Sequence, residues 1–268
     1  MTMPSQSVGD LLRDWRQRRR LSQLDLASEA EISTRHLSFL ETGRSQPSRE
    51  MLLKLAEQLG VPLRERNVLL TAAGYAPVFA ERRLDDPALE AARKAIRLVL
   101  AGHEPYPALA VDRHWHLVDA NAGVTRLMAG ADQSLLRPPI NVLRLSLHPK
   151  GLAPRIANLA EWRAHLLARL HRQIELTADP VLSDLLRELS AYPKPPVSRP
   201  PRPPRDYHSE IAVPLQLMAG SQTLTLFSTT TIFGTPVDIT LSEIAIEAFF
   251  PADTETAEAL REMAATPR

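Results

Sequence analysis

The stretch SQLDLASEAEISTRHLSFLETGRSQPS, Ser22 to Ser48, decides the first part of the fold. Ser22 is a good N-cap for a short helix that buries Leu24, Leu26 and Ala27. Ser33 caps a second short helix, which buries Leu37 and Leu40, and Gly43 suits a left-handed stop. Two helices joined by so short a turn cross steeply, and the second can lie in a DNA major groove with its first residues against base edges. Those residues are Ser33, Thr34, Arg35 and His36, with Ser38 one turn on and Phe39 near the outer side, facing a thymine methyl. Arg35 suits a bidentate bond to guanine, worth about 1–3 kcal/mol of discrimination. Gln23 opens the first of the two helices, where backbone amides and the helix dipole meet a phosphate. Arg44, Ser45, Gln46 and Arg49 follow the reading helix and flank it with phosphate contacts, which position a protein without reading sequence. A small helical bundle with a solvated polar face is the bland alternative, and the ordered combination of caps, turn and polar residues argues against it.

Working outward, VGDLLRDWRQRRR places Val8, Leu11, Leu12 and Trp15 at i, i+3, i+4 and i+7, the buried stripe of another helix. SREMLLKLAEQLG is capped by Ser48 and stopped by Gly60, and LRERNVLLTAAG ends at Gly74. Five helices in about 75 residues make one small domain, in which caps, stops and period agree. The net charge of the whole chain is only +1. Lys and Arg outnumber Asp and Glu by 13 to 10 over residues 1–83 and by 17 to 13 over 84–209; over 210–268 the balance reverses to 2 against 8. That last part is unsuited to nucleic acid, whereas the clustered Arg13, Arg16, Arg18, Arg19 and Arg20 favour contact near the start.

The rest of the chain changes character. YAPVFAERRLDDP reads as a connector and LEAARKAIRLVLAG as a helix with a broad apolar face. ALAVDRHWHLVDAN alternates like a hairpin with Trp115 at its tip, and Asn121 can cap the helix that follows. A long helix is expected through RIANLAEWRAHLLARLHRQIEL, then another opened by Asp179 and Pro180. After the proline-rich loop PKPPVSRPPRPPR come the β-rich runs IAVPLQLMA, QTLTLFSTTTIF and EIAIEAFF, and a short closing helix ETAEALREM. The expected fold class is α+β and multidomain: residues 1–77 as the helical DNA-binding domain, 78–103 as linker and connecting helix, 104–268 as a second, mixed domain.

Residues 8–75 resemble the XRE family of phage-repressor-like helix-turn-helix proteins. The resemblance rests on Ser22-Gln23, Leu26-Ala27 and Leu40-Glu41-Thr42-Gly43-Arg44. It implies base reading by Thr34, Arg35 and Ser38 or Phe39, and phosphate contacts from Arg16, Gln23 and Arg44. The family often has glycine in the turn where this chain has Glu31; a left-handed glutamate there costs on the order of 1 kcal/mol and sets an acid close to DNA. ALAVDRHWHLVDAN, NVLRLSLHPKGLAPRIANLAEWRAHLLARL and FGTPVDITLSEIAIEAFFPADTETAEALR resemble the ligand-binding domain of MmyB-like transcription regulators. That resemblance implies a PAS-like domain, a sheet with helices packed on it around an apolar cavity, and a small apolar or amphipathic effector such as a fatty acid.

Read from the residues alone, the faces rich in Leu, Ile, Val and Phe fit a cavity wall or a plain core. Arg144, His148, Arg155, Asn158 and Trp162 lie beside them. An acidic head group needs a cation at the cavity mouth, which Arg144 or Arg155 would supply with His148 assisting. Ion pairs and caps that hold helices on a sheet explain the same residues. His114 and His116 share one face of a strand, as a metal pair would, but no third ligand is evident, and a solvated pair is the reading taken. The chain has no cysteine, and neither a phosphate loop, a nucleophile elbow nor a zincin motif is found, so no cofactor, metal or catalysis is expected. MTMPSQSVGD lacks the apolar run of a signal peptide and no stretch reaches a membrane span, which makes a cytoplasmic protein with no membrane partner the expectation, and the family resemblance implies a bacterial one. The leading reading is a sequence-specific DNA-binding transcriptional regulator: a homodimeric repressor on an inverted-repeat operator, responsive to a small apolar ligand in its C-terminal domain. A PAS-like cofactor sensor or enzyme, and an antitoxin-like interaction protein, are the alternatives.

Overall fold

The computed structural model describes residues 6–193, 213–234 and 238–265, which fall into two units. The proline-rich run from 194 onward lies outside the described residues. The first unit runs to Arg82 and takes in two short later segments, 175–177 and 238–242. Its helices are α1 (Val8–Arg18), α2 (Gln23–Glu29), α3 (Thr34–Glu41), α4 (Arg49–Gln58) and α5 (Leu63–Ala72). Ser7, Ser22, Ser33 and Ser48 cap the first four, each hydroxyl accepting a backbone N–H from the first turn. A cap of this kind is worth about 1 kcal/mol. At α2, Asp25 also accepts the N–H of Ser22 at 2.8 Å, which closes a capping box. The two glycine stops read from sequence around α3 and α4, Gly43 and Gly60, have φ of 70° and 57°.

The core of this unit joins Leu12 and Trp15 of α1 to Leu26, Leu37, Leu40, Leu52, Leu55, Leu69 and Leu70. Leu24 does not join it: it is 67% exposed. Positions two apart on a helix face different ways, and α2 is short enough that Leu26 and Ala27 take its whole inward side. Gly9 marks where α1 meets the end of α3, since a Cβ there would sit 2.5 Å from the carbonyl oxygen of Leu40.

The second unit starts with α6 (Glu90–Gly102), whose Ile96 and Leu100 are buried. Strands β1 (Ala108–Val111) and β2 (Leu117–Ala120) form the expected hairpin, followed by α7 (Ala122–Met128). Asn121 is buried and bonded on every side. It accepts from Val124 N–H to cap α7 and from Ala108 N–H, and donates to the carbonyls of Leu100 and Tyr106. Then come α8 (Val142–Leu147), α9 (Leu159–Thr177) and α10 (Pro180–Ala191), with β3 (Leu215–Ala219), β4 (Gln222–Ile232), β5 (Ala245–Pro251) and α12 (Thr254–Ala265) beyond; α11 (Ile239–Ser242), between β4 and β5 in the chain, belongs to the first unit. The long helix starts later than the apolar period suggests, because Pro154 sits in a separate 3₁₀ turn at Ala153–Arg155. Among the described residues the strands form one antiparallel sheet in the order β2-β1-β5-β4-β3. The last strand in sequence, β5, thus enters between β1 and β4. Leu109, Leu215, Leu217, Leu224 and Leu226 line the inner face, on which α9 lays Trp162, Leu166 and Leu170.

Candidate nucleic-acid interface and candidate ligand cavity

The polar face of α3 has what a reading face needs, which is side chains without internal duties. Arg35 is exposed, and Thr34, His36 and Ser38 are partly so. None of these four side chains forms a hydrogen bond or ion pair with a described residue, and the same holds for those of Arg44, Ser45, Gln46 and Arg49. Ser33 differs, its hydroxyl accepting the His36 N–H at 3.1 Å. Phe39 has an added role. The guanidinium of Arg35 lies over its ring at 5.3 Å and that of Arg44 at 5.9 Å, so one partly buried ring steadies a cation from α3 and one from the loop after it.

The two other phosphate candidates face inward. Arg16 is buried and bidentate on Glu41, Nε to Oε1 at 2.6 Å and Nη2 to Oε2 at 2.9 Å, and its Nη1 donates to the Leu21 carbonyl. Gln23 donates to the same carboxylate at 2.8 Å, and Arg13 donates to the Glu41 carbonyl. Burial pushes the Glu41 carboxyl up, but the bonds from Arg16 and Gln23 and the charges of Arg16 and Arg13 together hold it below its ordinary value. Arg16 therefore clamps α1 to α3, and much of the basic cluster is structural: Arg19 likewise donates to the carbonyls of Leu59 and Gly60 at the end of α4. Glu31 has the left-handed φ of 55° anticipated for the turn, and its acid is answered by Lys54 at 2.7 Å, whose hydrogen bond and charge hold it below the usual carboxylate range.

In the second unit an apolar cavity of about 100 Å³ lies between the sheet and its helices. Leu127 and Met128 of α7, Leu143 of α8, Trp162 and Leu166 of α9, and Leu215 and Leu217 of β3 wall it. Its polar lining is small. The Ser146 hydroxyl accepts the indole N–H of Trp162 at 3.0 Å. At another side Arg169 meets Glu247, with Nη1 to Oε2 at 3.0 Å and Nη2 on Oε1. Thr230 bridges the pair, accepting from Arg169 at 2.8 Å and donating to Glu247 at 3.0 Å, and the guanidinium lies over Trp115 at 4.6 Å.

Of the five residues singled out from sequence for a ligand, Trp162 is in the wall. The other four hold the scaffold. Arg144 is bidentate on Glu188, both bonds 2.7 Å. Arg155 donates to the carbonyls of Leu127 and Ala129, which end α7, and to that of Met218. Asn158 ties β3 to α9 through Pro214 and Gln216. His148 accepts the Lys150 N–H and packs edge-on against Tyr192. The bland reading of these four, caps and ion pairs, describes their contacts. Arg169 and Glu247 went unread, although each is a charge set in an apolar pattern: Arg169 continues the Trp162–Leu166 stripe at i+7, and Glu247 interrupts the strand run AIEAFF.

His114 and His116 do have a third neighbour, Asp112; one possible ligand atom from each lies within 4.8 Å of the others. Asp112 is engaged in the hairpin turn, however. One oxygen accepts the N–H groups of His114 and His116 and the other meets His116 Nδ1 at 3.0 Å, while His114 Nε2 meets Asp179 at 2.8 Å. Trp115, at φ 67°, forms the tip.

Comparison with known proteins agrees with both halves of this description. Residues 12–66 match a helix-turn-helix family model, and residues 92–263 match that of the MmyB-like transcription regulator ligand binding domain. The HTH-type transcriptional regulator DdrOP3 of Deinococcus deserti is 36% identical over 108 residues, 35% of this chain and 81% of the relative. Multiprotein-bridging factor 1 of Candida albicans is 32% identical over 77 residues, 29% of this chain, and the match spans about half, 47%, of that protein. The crystal structure of the clp gene regulator ClgR from C. glutamicum, 31% identical, covers 28% of this chain and 94% of its own with a TM-score of 0.23. No helix among the described residues is long and apolar enough to cross a membrane. A helix-turn-helix head with free polar residues on its second helix, followed by a sheet domain matched over most of its length, places the chain in the family of MmyB-like, helix-turn-helix transcription regulators.

Proposed function

We propose that this regulator is a repressor that binds an inverted-repeat operator as a homodimer, and that a small apolar ligand in the second unit modulates that binding. The observation that carries the reading is the cavity itself: an apolar space with a few placed polar groups, in the domain matched by a ligand-binding family. Thr34, Arg35 and Ser38 read bases, while Arg44, Ser45, Gln46 and Arg49 hold phosphates. One such head covers too little DNA for tight specific binding, and two-fold symmetry would space half-sites by about 34 Å or a multiple. The outer side of α6 supports self-association, since Leu98 is 64% and Val99 49% exposed there. Catalysis has no place in this mechanism.

Ligand and operator are coupled only to the extent that the ligand prefers one DNA-binding state over the other, ordinarily about 1–3 kcal/mol, or 5–150-fold in affinity. A fatty acid is the class that the family suggests, and a long chain would require the cavity to open, because about 100 Å³ is well below the ~300–1,000 Å³ usual for ligand pockets. The test is operator affinity by fluorescence anisotropy, measured on stripped protein and on protein loaded with whatever mass spectrometry finds extracted from it. An unchanged affinity, with no compound raising the melting temperature, would make the second unit a dimerisation scaffold.

A further inference from the structure

We propose that the turn between β1 and β2 is a metal site, in which Asp112, His114 and His116 hold one divalent transition ion of the Zn²⁺ class. The site goes beyond the regulator reading above and does not depend on what fills the cavity.

The three side chains are already gathered, one ligand atom from each lying within 4.8 Å of the others. Two atoms bonded to one ion at ~2.0–2.2 Å sit roughly 3 Å apart. Asp112 Oδ2 and His116 Nδ1 are 3.0 Å apart. The carboxylate divides its work. Oδ1 serves the turn, accepting the backbone N–H groups of His114 and His116, both at 2.8 Å, while Oδ2 faces the His116 ring. The bonds that engage Asp112 thus aim it and leave one oxygen for an ion. His114 meets Asp179 through Nε2 at 2.8 Å, and its Nδ1 has no hydrogen-bond partner among the described residues. An imidazole that binds a metal through one nitrogen usually gives the other to a carboxylate, which fixes its tautomer and orientation. Asp179 stands where that carboxylate belongs, and it is held in turn by Val181 N–H at 2.9 Å. The neighbouring cation Arg113 is shared between Asp179, at 3.6 Å, and Glu243, at 3.7 Å.

The backbone that carries the ligands has little room to move. Trp115, between the two histidines, is buried and donates its indole N–H to Gln173, which donates to the Arg113 carbonyl. Asn141 donates to the His114 carbonyl and Val142 N–H to that of Trp115. A frame fixed in this way lowers the ordering cost of binding. Donor chemistry selects the ion. Two imidazoles and a carboxylate suit Zn²⁺ and its transition-metal neighbours, whereas Mg²⁺ and Ca²⁺ take oxygen ligands. The side chains are 16% (His114), 29% (His116) and 37% (Asp112) exposed, so an ion can enter from solvent and water can complete its coordination.

The experiment titrates the full chain, stripped with a chelator, with ZnCl₂ and separately with MgCl₂ by calorimetry near neutral pH. Zn²⁺ should bind one to one in the micromolar range or tighter and raise the melting temperature, and Mg²⁺ should do neither. Asp112→Asn keeps an oxygen for the two amides but loses the anionic ligand; it and His116→Ala should each weaken Zn²⁺ at least a hundredfold. Asp179→Asn can still cap α10 and should weaken it by about 10–100-fold. Absence of saturable Zn²⁺ binding, equal binding of Mg²⁺, or unchanged Zn²⁺ affinity in both ligand variants would each overturn the proposal. Should a variant not fold, the imidazole NMR signals of the wild type decide. Those of His114 and His116 should move with Zn²⁺, and movement confined to other histidines would overturn the site.

Discussion

The two units use charge in opposite ways. In the first, cations that look available in the sequence are drawn inside: Arg16 clamps Glu41, Arg19 caps α4, and Arg13 holds the end of α3. What stays free is the short polar face of α3 and the loop behind it. In the second unit the free-looking cations Arg144 and Arg155 brace helices, and the charges that touch the cavity are a pair drawn from elements far apart in the chain. The lesson is that a cation's neighbours in sequence say little about its task. What decides is whether an acceptor comes within reach after folding.

Breaking the clamp in the first unit should have the largest effect. Glu41→Gln leaves the Arg16 guanidinium buried without its counter-charge, a loss of about 3–5 kcal/mol in chemical denaturation followed at the helical signal. The same carboxylate sets a pH dependence. Its folded value is depressed, so its stabilisation is fully present above the unfolded value of about 4.3 and is lost as pH falls from there through the folded value. A pH series of melting curves from 7 to 3 should therefore show no Glu41-dependent loss above about pH 5, and Glu41→Gln should flatten the acid limb.

The free face should respond in DNA binding and not in stability. Arg35→Ala is expected to cost about 1–3 kcal/mol on the operator and to relax the preference at one base pair, with the melting temperature nearly unchanged. Arg44→Ala should weaken all sequences alike and lower the slope of log affinity against log salt by about 1. If Arg35→Ala lowered stability as much as affinity, the contrast between engaged and free cations would fail.

Smaller effects test the finer points. Glu31→Gly removes a left-handed glutamate and also its bond to Lys54, and the net gain should be at most about 1 kcal/mol. Arg144→Ala opens a half-exposed pair and should cost no more than about 1 kcal/mol while leaving ligand response as it was. A changed ligand response in that variant would return Arg144 to the binding site.

The first unit was legible because its signals are local. A serine cap, an apolar stripe and a left-handed glycine stop lie within one or two turns of each other, and Ser22, Ser33 and Gly43 mark their elements without help from elsewhere. Leu24 was misread because a seven-residue helix has room for only one narrow inward face. In the second unit the hairpin around Trp115 and the caps at Asn121 and Asp179 could be read for the same local reason. The cavity lining could not. Arg169 and Glu247 are 78 residues apart, and β5 reaches its place between β1 and β4 only after the rest of the sheet has been laid down in sequence.

The freedom of the α3 side chains also bears on how such a head changes over generations. The side chains of Thr34, Arg35 and Ser38 make no hydrogen bond or ion pair with a described residue, so a lineage can exchange them, and with them, on the proposed function, the operator, while the helices stay about as stable as before. Phe39 marks the limit of that latitude. Because Arg35 and Arg44 both lie on its ring, replacing it would unsettle together the cation proposed to read bases and the one proposed to hold phosphate. New specificities should therefore arise around a retained aromatic ring, with mutations accumulating on the residues that flank it.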